Sequence, residues 1–335
     1  MATNAPRAVF VARETDYELL IARHATREQV RFFLKSRGQD LDDVERRHAR
    51  FHQVLKSVRD MVPAEWRSAQ VRRSDLDRFL FAPEDMVVAV GQDGLVANVA
   101  KYLSGQPVLG VNPDRELYDG ILVPLLPERV GVLLKQAASG EARFQHRAMV
   151  EAELDDGQKI VALNEVFIGH RSHQSARYEL SIGDKREAQS SSGIIVSSGT
   201  GATGWARSIM EATRTSIPLT PEERALAYFV REPFPSVSTG TTIRAGKLPS
   251  SERMIVVSRM NEGGTIFADG IEQDHLNFDW GRAMQVTLSS RHLNLVLDGP
   301  VEARTRAPRG RAEVHVTPRS EAPHASPVPR SQDRR

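Results

Sequence analysis

The stretch "VVAVGQDGLVANVAKYL", Val87 to Leu103, constrains the fold more than any other part of this sequence. An apolar run from Met86 to Val90 meets Gly-Gln-Asp-Gly, and a helical pattern begins at once. A strand that feeds directly into a helix is the unit of a parallel sheet covered by helices. The neighbouring sequence repeats that grammar. Ala8 to Ala12 reads as a short strand, and "PVLGV", Pro107 to Val111, as another. In "HATREQVRFFLKSRG", Thr26 and Gln29 have the spacing of a capping box and Gly38 is placed to end the helix. Val44, Phe51, Leu55 and Val58 recur at near-helical spacing, which predicts a second helix from Leu41 to Val62, ending before Pro63. The aromatics Phe32, Phe33 and Phe51 are expected in the core.

After about Gly131 the pattern changes to short segments bounded by turn residues, such as "RAMVEAEL", "KIVALNEVFIG" and "AMQVTLSS". In "RYELSI", Tyr178, Leu180 and Ile182 alternate with polar neighbours, the period of a half-buried strand. Asp184 and the pair Asp269-Gly270 read as hairpin turns. One helical candidate, Trp205 to Thr213, interrupts this half. The reading is an α/β N-terminal domain, 1–130, followed by a larger β-rich, sandwich-like domain, 131–300. A chain of 335 residues suits two domains of about 150 each.

Composition narrows the classes of function. The absence of cysteine excludes disulfides, thiolate metal sites and a catalytic thiol, and fits a reducing compartment. No apolar run approaches the ~18 residues of a membrane helix. The N-terminus lacks the basic-then-apolar pattern of a secretory leader. The formal net charge of +2 is unevenly placed: Ala303 to Arg335 holds eight arginines against three acids, which leaves the rest of the chain at −3. This Pro-, Arg- and Ser-rich segment reads as a disordered tail, 301–335, rather than a nucleic-acid arm. Neither nucleic acid nor a membrane is expected as a partner. Early acidic residues (Glu14, Asp16, Glu18) favour the cytoplasm of a bacterium.

Three places can carry chemistry. "GQDG" (Gly91 to Gly94) is either a plain turn or a loop whose backbone approaches an anion at a helix start. It lacks the spacing of a Walker loop and of GxGxxG. In "ALNEVFIG", Asn164-Glu165 interrupts an apolar strand, so the strand ends at a cleft or switches faces there. An amide beside a carboxylate can read a base edge or a ribose hydroxyl, and a solvated bulge is the bland alternative. "SSSGIIVSSGTGATGWARSI" (Ser190 to Ile209) gathers N–H donors and hydroxyls before a helix, as an anion site or a flexible connection. His170 and His173 have spacing that could suit a metal, but no further ligand is evident, so no protein metal site is expected.

In this order and spacing the three segments resemble the NAD kinase family, which transfers phosphate from ATP to the adenosine 2′-hydroxyl of NAD. Those enzymes carry a Gly-Gly-Asp-Gly loop, an Asn-Glu pair and a Gly-rich turn ending in Ala-Tyr. Here they stand as "GQDG", "NE" and "TGATGW" (Thr200 to Trp205). "VLGVNPDRELYDGIL", "SSGIIVSSGTGATGW" and "FVREP" are most similar to the mitochondrial-type branch. The resemblance covers roughly Arg7 to Leu297 and implies an NAD kinase-like fold, with an α/β nucleotide-binding domain before a β-rich NAD-binding domain. It implies Asp93 as general base, and Gly91, Gln92, Gly94 and Leu95 at the ATP phosphates with Mg²⁺. It further implies that Asn112, Asn164, Glu165, Ser192, Thr200, Thr203, Gly204 and Trp205 form the NAD site of a homodimer.

The departures fall unevenly. Gln92 stands in place of the family's second glycine and Leu95 in place of its usual Thr. Ser192 stands where most members have Asp, and Trp205 replaces Tyr while keeping an aromatic wall. The NAD pocket reads as retained and the phosphate end as altered. Two rivals follow: a nucleotide-binding protein of this fold without turnover, and a kinase of another hydroxyl substrate such as a lipid.

Overall fold

The computed structural model describes residues 5–116 and 120–299; the basic tail expected at 301–335 lies outside the described residues. The N-terminal half runs β1 (Arg7–Ala12), α1 (Asp16–His24), α2 (Arg27–Lys35), α3 (Leu41–Asp60), β2 (Arg67–Arg72), β3 (Asp85–Val90), α4 (Asp93–Ala100), β4 (Pro107–Val111) and α5 (Val130–Ser139). The four strands lie parallel in the order β2-β1-β3-β4. Both faces are covered, so β1 and β3 are apolar at consecutive positions. Ala8, Phe10, Met86, Val88 and Val90 pack with α3 and α5, while Val9, Val11, Val87 and Ala89 pack with α4.

The second half holds β5 (Arg143–Leu154), β6 (Lys159–Ala162), β7 (Glu165–His170), β8 (Ala176–Ile182), β9 (Lys185–Ser191), β10 (Ile194–Ser197), α6 (Trp205–Thr213), β11 (Ala225–Val230), β12 (Ala245–Pro249), β13 (Met254–Ser258), β14 (Gly264–Ala268), β15 (Ile271–Asn277) and β16 (Ala283–Leu297). Six of these strands form an antiparallel sheet, β12-β11-β10-β7-β14-β15. The others extend the first sheet beyond β4 as β16-β13-β8-β9, with β5 and β6 beside β16. One core joins the sheets: Val150, Tyr178, Leu180 and Val256 from the first meet Val166, Ile168, Val196 and Leu226 from the second. This is the α/β half and the β-rich sandwich that the sequence pattern calls for.

β16 joins the halves. Its first part runs antiparallel to β13 and β5, its register shifts between Leu288 and His292, and its last part lies parallel to β4. The described residues therefore pack as one compact unit, and the division at 130/131 remains a proposal about how that unit is organised.

Several local expectations are met to the residue. "PVLGV" is β4 and Trp205 to Thr213 is α6. Thr26 caps α2 by accepting from the Gln29 N–H. Asp269 and Gly270, both at positive φ, turn β14 into β15. Others differ. α3 ends at Asp60, three residues before Pro63, because Pro63 disfavours helical backbone at the residue before it. Phe32 is 79% exposed, since Val30, Phe33 and Leu34 make up the inner face of α2.

Candidate active site

Asp93 is the first residue of α4 and Gln92 is its N-cap, at φ −101°. Glutamine in the place of a glycine therefore carries no left-handed strain here. A Cβ built on Gly94 meets nothing within 4 Å, so the helix start is open to an approaching anion. Leu95 corrects the expectation placed on it. Its side chain is buried in the core beneath Gly91 and its N–H bonds the Gln92 carbonyl, so it offers a phosphate nothing. Gly91 and Gln92 border a cleft whose wall also carries Arg13, Arg47, His48 and Arg50. The cleft lies past the carboxyl ends of β1 and β3, where open parallel sheets bind ligands.

Two backbone groups orient the Asp93 carboxylate: Leu122 N–H donates to Oδ1 at 2.8 Å and Ile121 N–H to Oδ2 at 3.1 Å. They reach it because Gly110 lets the chain near 122 lie against β4. A Cβ at 110 would stand 1.9 Å from the Leu122 carbonyl oxygen. Asn112 is buried beside this segment, its Oδ1 accepting from Asp114 N–H at 2.9 Å.

The Asn164-Glu165 pair marks the point where the chain leaves β6 in one sheet and enters β7 in the other. Asp269 holds that corner, accepting N–H bonds from Leu163 at 3.1 Å, Asn164 at 2.7 Å and Glu165 at 3.4 Å. Lys101 lies close by, its ammonium donating to the Ala268 carbonyl at 3.0 Å. Burial pushes the Glu165 carboxyl up to about 7, with the Asp269 carboxylate adding to the rise and Lys101 opposing it. Asp269 is also raised by burial, against the three N–H groups that favour its charged form.

This arrangement predicts a pH effect on stability. Glu165 is raised above its ordinary 4.5 on folding, so between 4.5 and about 7 the folded chain binds more protons than the unfolded one. The stability from this group is complete below the lower value and is lost as pH rises through the upper one. Relative to the parent, Glu165→Gln should match at pH 4 and gain about 2 kcal/mol by pH 8 in urea titrations. A difference that stays flat across that range would count against the buried-carboxyl account.

The Gly-rich turn packs directly on this corner. Ser198 N–H and Ser197 Oγ donate to the Asn164 carbonyl at 2.9 and 3.3 Å, and Ser198 Oγ donates to the Leu163 carbonyl. Gly201 has to be glycine for this, because a Cβ there would lie 2.2 Å from the Asn164 oxygen. Thr200 is buried, whereas Thr203 and Gly204 are exposed at the start of α6. Trp205 stacks on Phe167 at 6.1 Å, and Arg231 lies 5.3 Å over its ring. Ser192 is exposed, with its backbone N–H and carbonyl both paired to Arg231.

Arg147, in β5, connects the two ends of the site. Its guanidinium donates to Thr200 Oγ1 and to the Ile121 carbonyl, both at 3.3 Å. Burial pushes it down to about 10, with the Asp93 carboxylate opposing, so it stays charged at neutral pH. Its Nε has no hydrogen-bond partner among the described residues. A hydrogen-bonded path thus runs from Asp93 through Ile121, Arg147, Thr200 and Ser198 to the carbonyls of Leu163 and Asn164 at the corner. Arg147, Asp269 and Lys101 escaped the sequence reading. Arg147 and Lys101 are buried and Asp269 is half-buried, and the partners of each come from distant parts of the chain.

No protein-family profile matches the chain. It is similar to the NAD kinase of Psychrobacter arcticus, 33% identical over 132 residues, which cover 37% of this chain and 40% of that protein. The NAD kinase of Saccharophagus degradans is 31% identical over 149 residues, covering 41% and 50%. With the mitochondrial NAD kinase 2 of Rattus norvegicus the likeness extends further, 27% over 256 residues, covering 61% and 60%. The chain therefore spans about half the length of these bacterial relatives, and the matches do not separate a mitochondrial-type branch from the bacterial enzymes. Among solved structures, yeast NADH kinase complexed with NADH aligns with a TM-score of 0.54 at 16% identity, covering 89% of this chain and 85% of that one. An NAD kinase from Archaeoglobus fulgidus in complex with ATP aligns at 0.55 and 19%, covering 87% and 93%. An α/β half continued into a β-rich sandwich is what these structures share with the chain, and its fold is NAD kinase-like.

Proposed function

We propose that this protein transfers the γ-phosphoryl group of ATP to the adenosine 2′-hydroxyl of NAD, giving NADP. The observation that carries the reading is the path tying Asp93 to the Asn164-Glu165 corner, with an arginine-lined cleft bordered by Gly91 and Gln92. In this reading Asn164 and Glu165 hold the adenosine moiety. Thr200, Thr203, Gly204 and Trp205 wall the same site, Ser192 borders it through Arg231, and Asn112 shapes the segment that orients Asp93. The ribose oxygen attacks the γ-phosphorus as the bond to the bridging β–γ oxygen breaks and ADP leaves. Asp93 accepts the hydroxyl proton: a carboxylate has about four lone-pair sites, and two N–H groups use only part of them. Gln92 and Gly94 offer backbone N–H groups to the donor phosphates, Gly91, whose own N–H is held by the Val111 carbonyl, lets the loop turn beside them, and Mg²⁺ carried by ATP would spread their charge. A homodimer of the mitochondrial-type branch completes the reading on the strength of the motif resemblance, and the early acids Glu14, Asp16 and Glu18 favour the cytoplasm.

The test is NADP formation by the purified chain with Mg²⁺, ATP and NAD, read by an NADP-specific dehydrogenase. Turnover is the expected result. Gln92, which lines the cleft, favours one rival: a protein that binds nucleotide without transferring phosphate. NAD binding by calorimetry with no NADP formed would establish that rival instead.

A further inference from the structure

Among the described residues one group of side chains has the makeup of a metal site, and it lies outside the motifs above. Glu18 is on α1, and His48 and His52 are one turn apart on α3. A ring nitrogen of each histidine and a carboxylate oxygen of Glu18 lie within 4.8 Å of one another. We propose that Glu18, His48 and His52 bind a divalent transition-metal ion of the zinc class next to the cleft that His48 lines together with Gly91 and Gln92.

The geometry comes from the local sequence. Histidines four apart stand over one another on a helix face, and α1 is packed across that face. Thr15 fixes the third donor. As N-cap of α1 it forms a capping box with Glu18, its N–H donating to Oε2 at 2.7 Å and its hydroxyl to the same oxygen at 3.0 Å. That leaves Oε1 directed to His52 Nε2, 3.2 Å away. Tetrahedral ligands about 2.0–2.1 Å from one ion lie roughly 3.3 Å apart, so this pair already has the required separation. The Thr15 hydroxyl also lies 2.8 Å from His48 Nδ1, an outer contact of the kind that orients ligating imidazoles.

Donor chemistry selects the ion. Two imidazoles and one carboxylate suit zinc, cobalt or nickel, whereas Mg²⁺ demands oxygen ligands. The site is therefore separate from any Mg²⁺ that arrives with a nucleotide. Three protein ligands leave a fourth position for water or for an oxygen of whatever occupies the cleft, which His48 and Thr15 also line. The bound ion joins α1 to α3, two walls of that cleft. None of this depends on the phosphotransfer reading.

The test uses the full chain, stripped with a chelator and then titrated with Zn²⁺, with Co²⁺ absorption as a second probe. One Zn²⁺ per chain, held at low micromolar or tighter (about −8 kcal/mol) and retained in excess Mg²⁺, is expected. His52→Gln and Glu18→Gln should each weaken binding at least about tenfold. Glu18→Gln keeps the capping box, because glutamine serves at that position too. His170→Gln should leave binding unchanged. No saturable binding, binding that survives both ligand substitutions, or binding lost with His170→Gln would overturn the site.

Discussion

Asp93→Asn is expected to lower NADP formation by at least about a hundredfold, the contribution of a positioned general base. The substitution keeps the size of the side chain and removes its basicity. It also disturbs the local bonding, because an amide offers one acceptor oxygen where the carboxylate offered two, and its NH₂ must face the N–H of Ile121 or Leu122. That costs about 1–3 kcal/mol of stability, which a folded domain can absorb. Activity and a thermal melt should therefore be measured on the same preparation. A folded variant that kept a tenth of the parent rate would remove Asp93 from the role of base.

Arg147→Met is expected to lower kcat by about a hundredfold, the loss that a misplacement of about 1 Å can bring, with little change in stability. The two effects separate because opposing terms nearly cancel. Losing the bonds to Thr200 and Ile121 costs roughly 2–3 kcal/mol. Against that, the depression to about 10 means that burying this charge already disfavours the folded state by about 3 kcal/mol, which methionine does not suffer. The catalytic loss has no such compensation. Arg147 holds the carbonyl of Ile121, whose own N–H orients Asp93, so it acts as a positioning residue. A variant that melted with the parent and turned over at the parent rate would show that the cross-tie does not matter. One that simply unfolded would show that it is structural.

Elements with strong local signals were legible. An apolar run of both-face residues before Gly91 could only be a buried strand, and the interruption at Asn164-Glu165 marked the change of sheet. α1 was missed although Thr15 and Glu18 spell out its capping box, because none of its residues is fully buried and its apolar stripe is weak. β2 was missed because it is an edge strand with a single buried side chain, Val71. α5 straddles the point where the strand grammar was judged to begin, and only Gly140, left-handed at its end, marks it. In the site, hydroxyl and glycine motifs could be read because they are contiguous. The charges that bind those motifs together could not. Asp269 read only as a hairpin turn, and nothing near Arg147 in sequence announces that it meets Thr200 and Ile121.

The long last strand carries a consequence for how the molecule is made. A ribosome releases the chain from its N-terminus, yet the strand that lies beside β4 comes from residues 294 and 295. Until those residues emerge, β4 has an open edge, and the half built first must wait with apolar surface uncovered. Such distant pairing slows folding, since the chain between Pro107 and Asn294, more than half of the sequence, closes into a loop before the contact forms. Made alone, the N-terminal half is therefore expected to expose that edge and to associate through it. Its completion waits for Asn294 and Leu295, through which one strand seals both halves together.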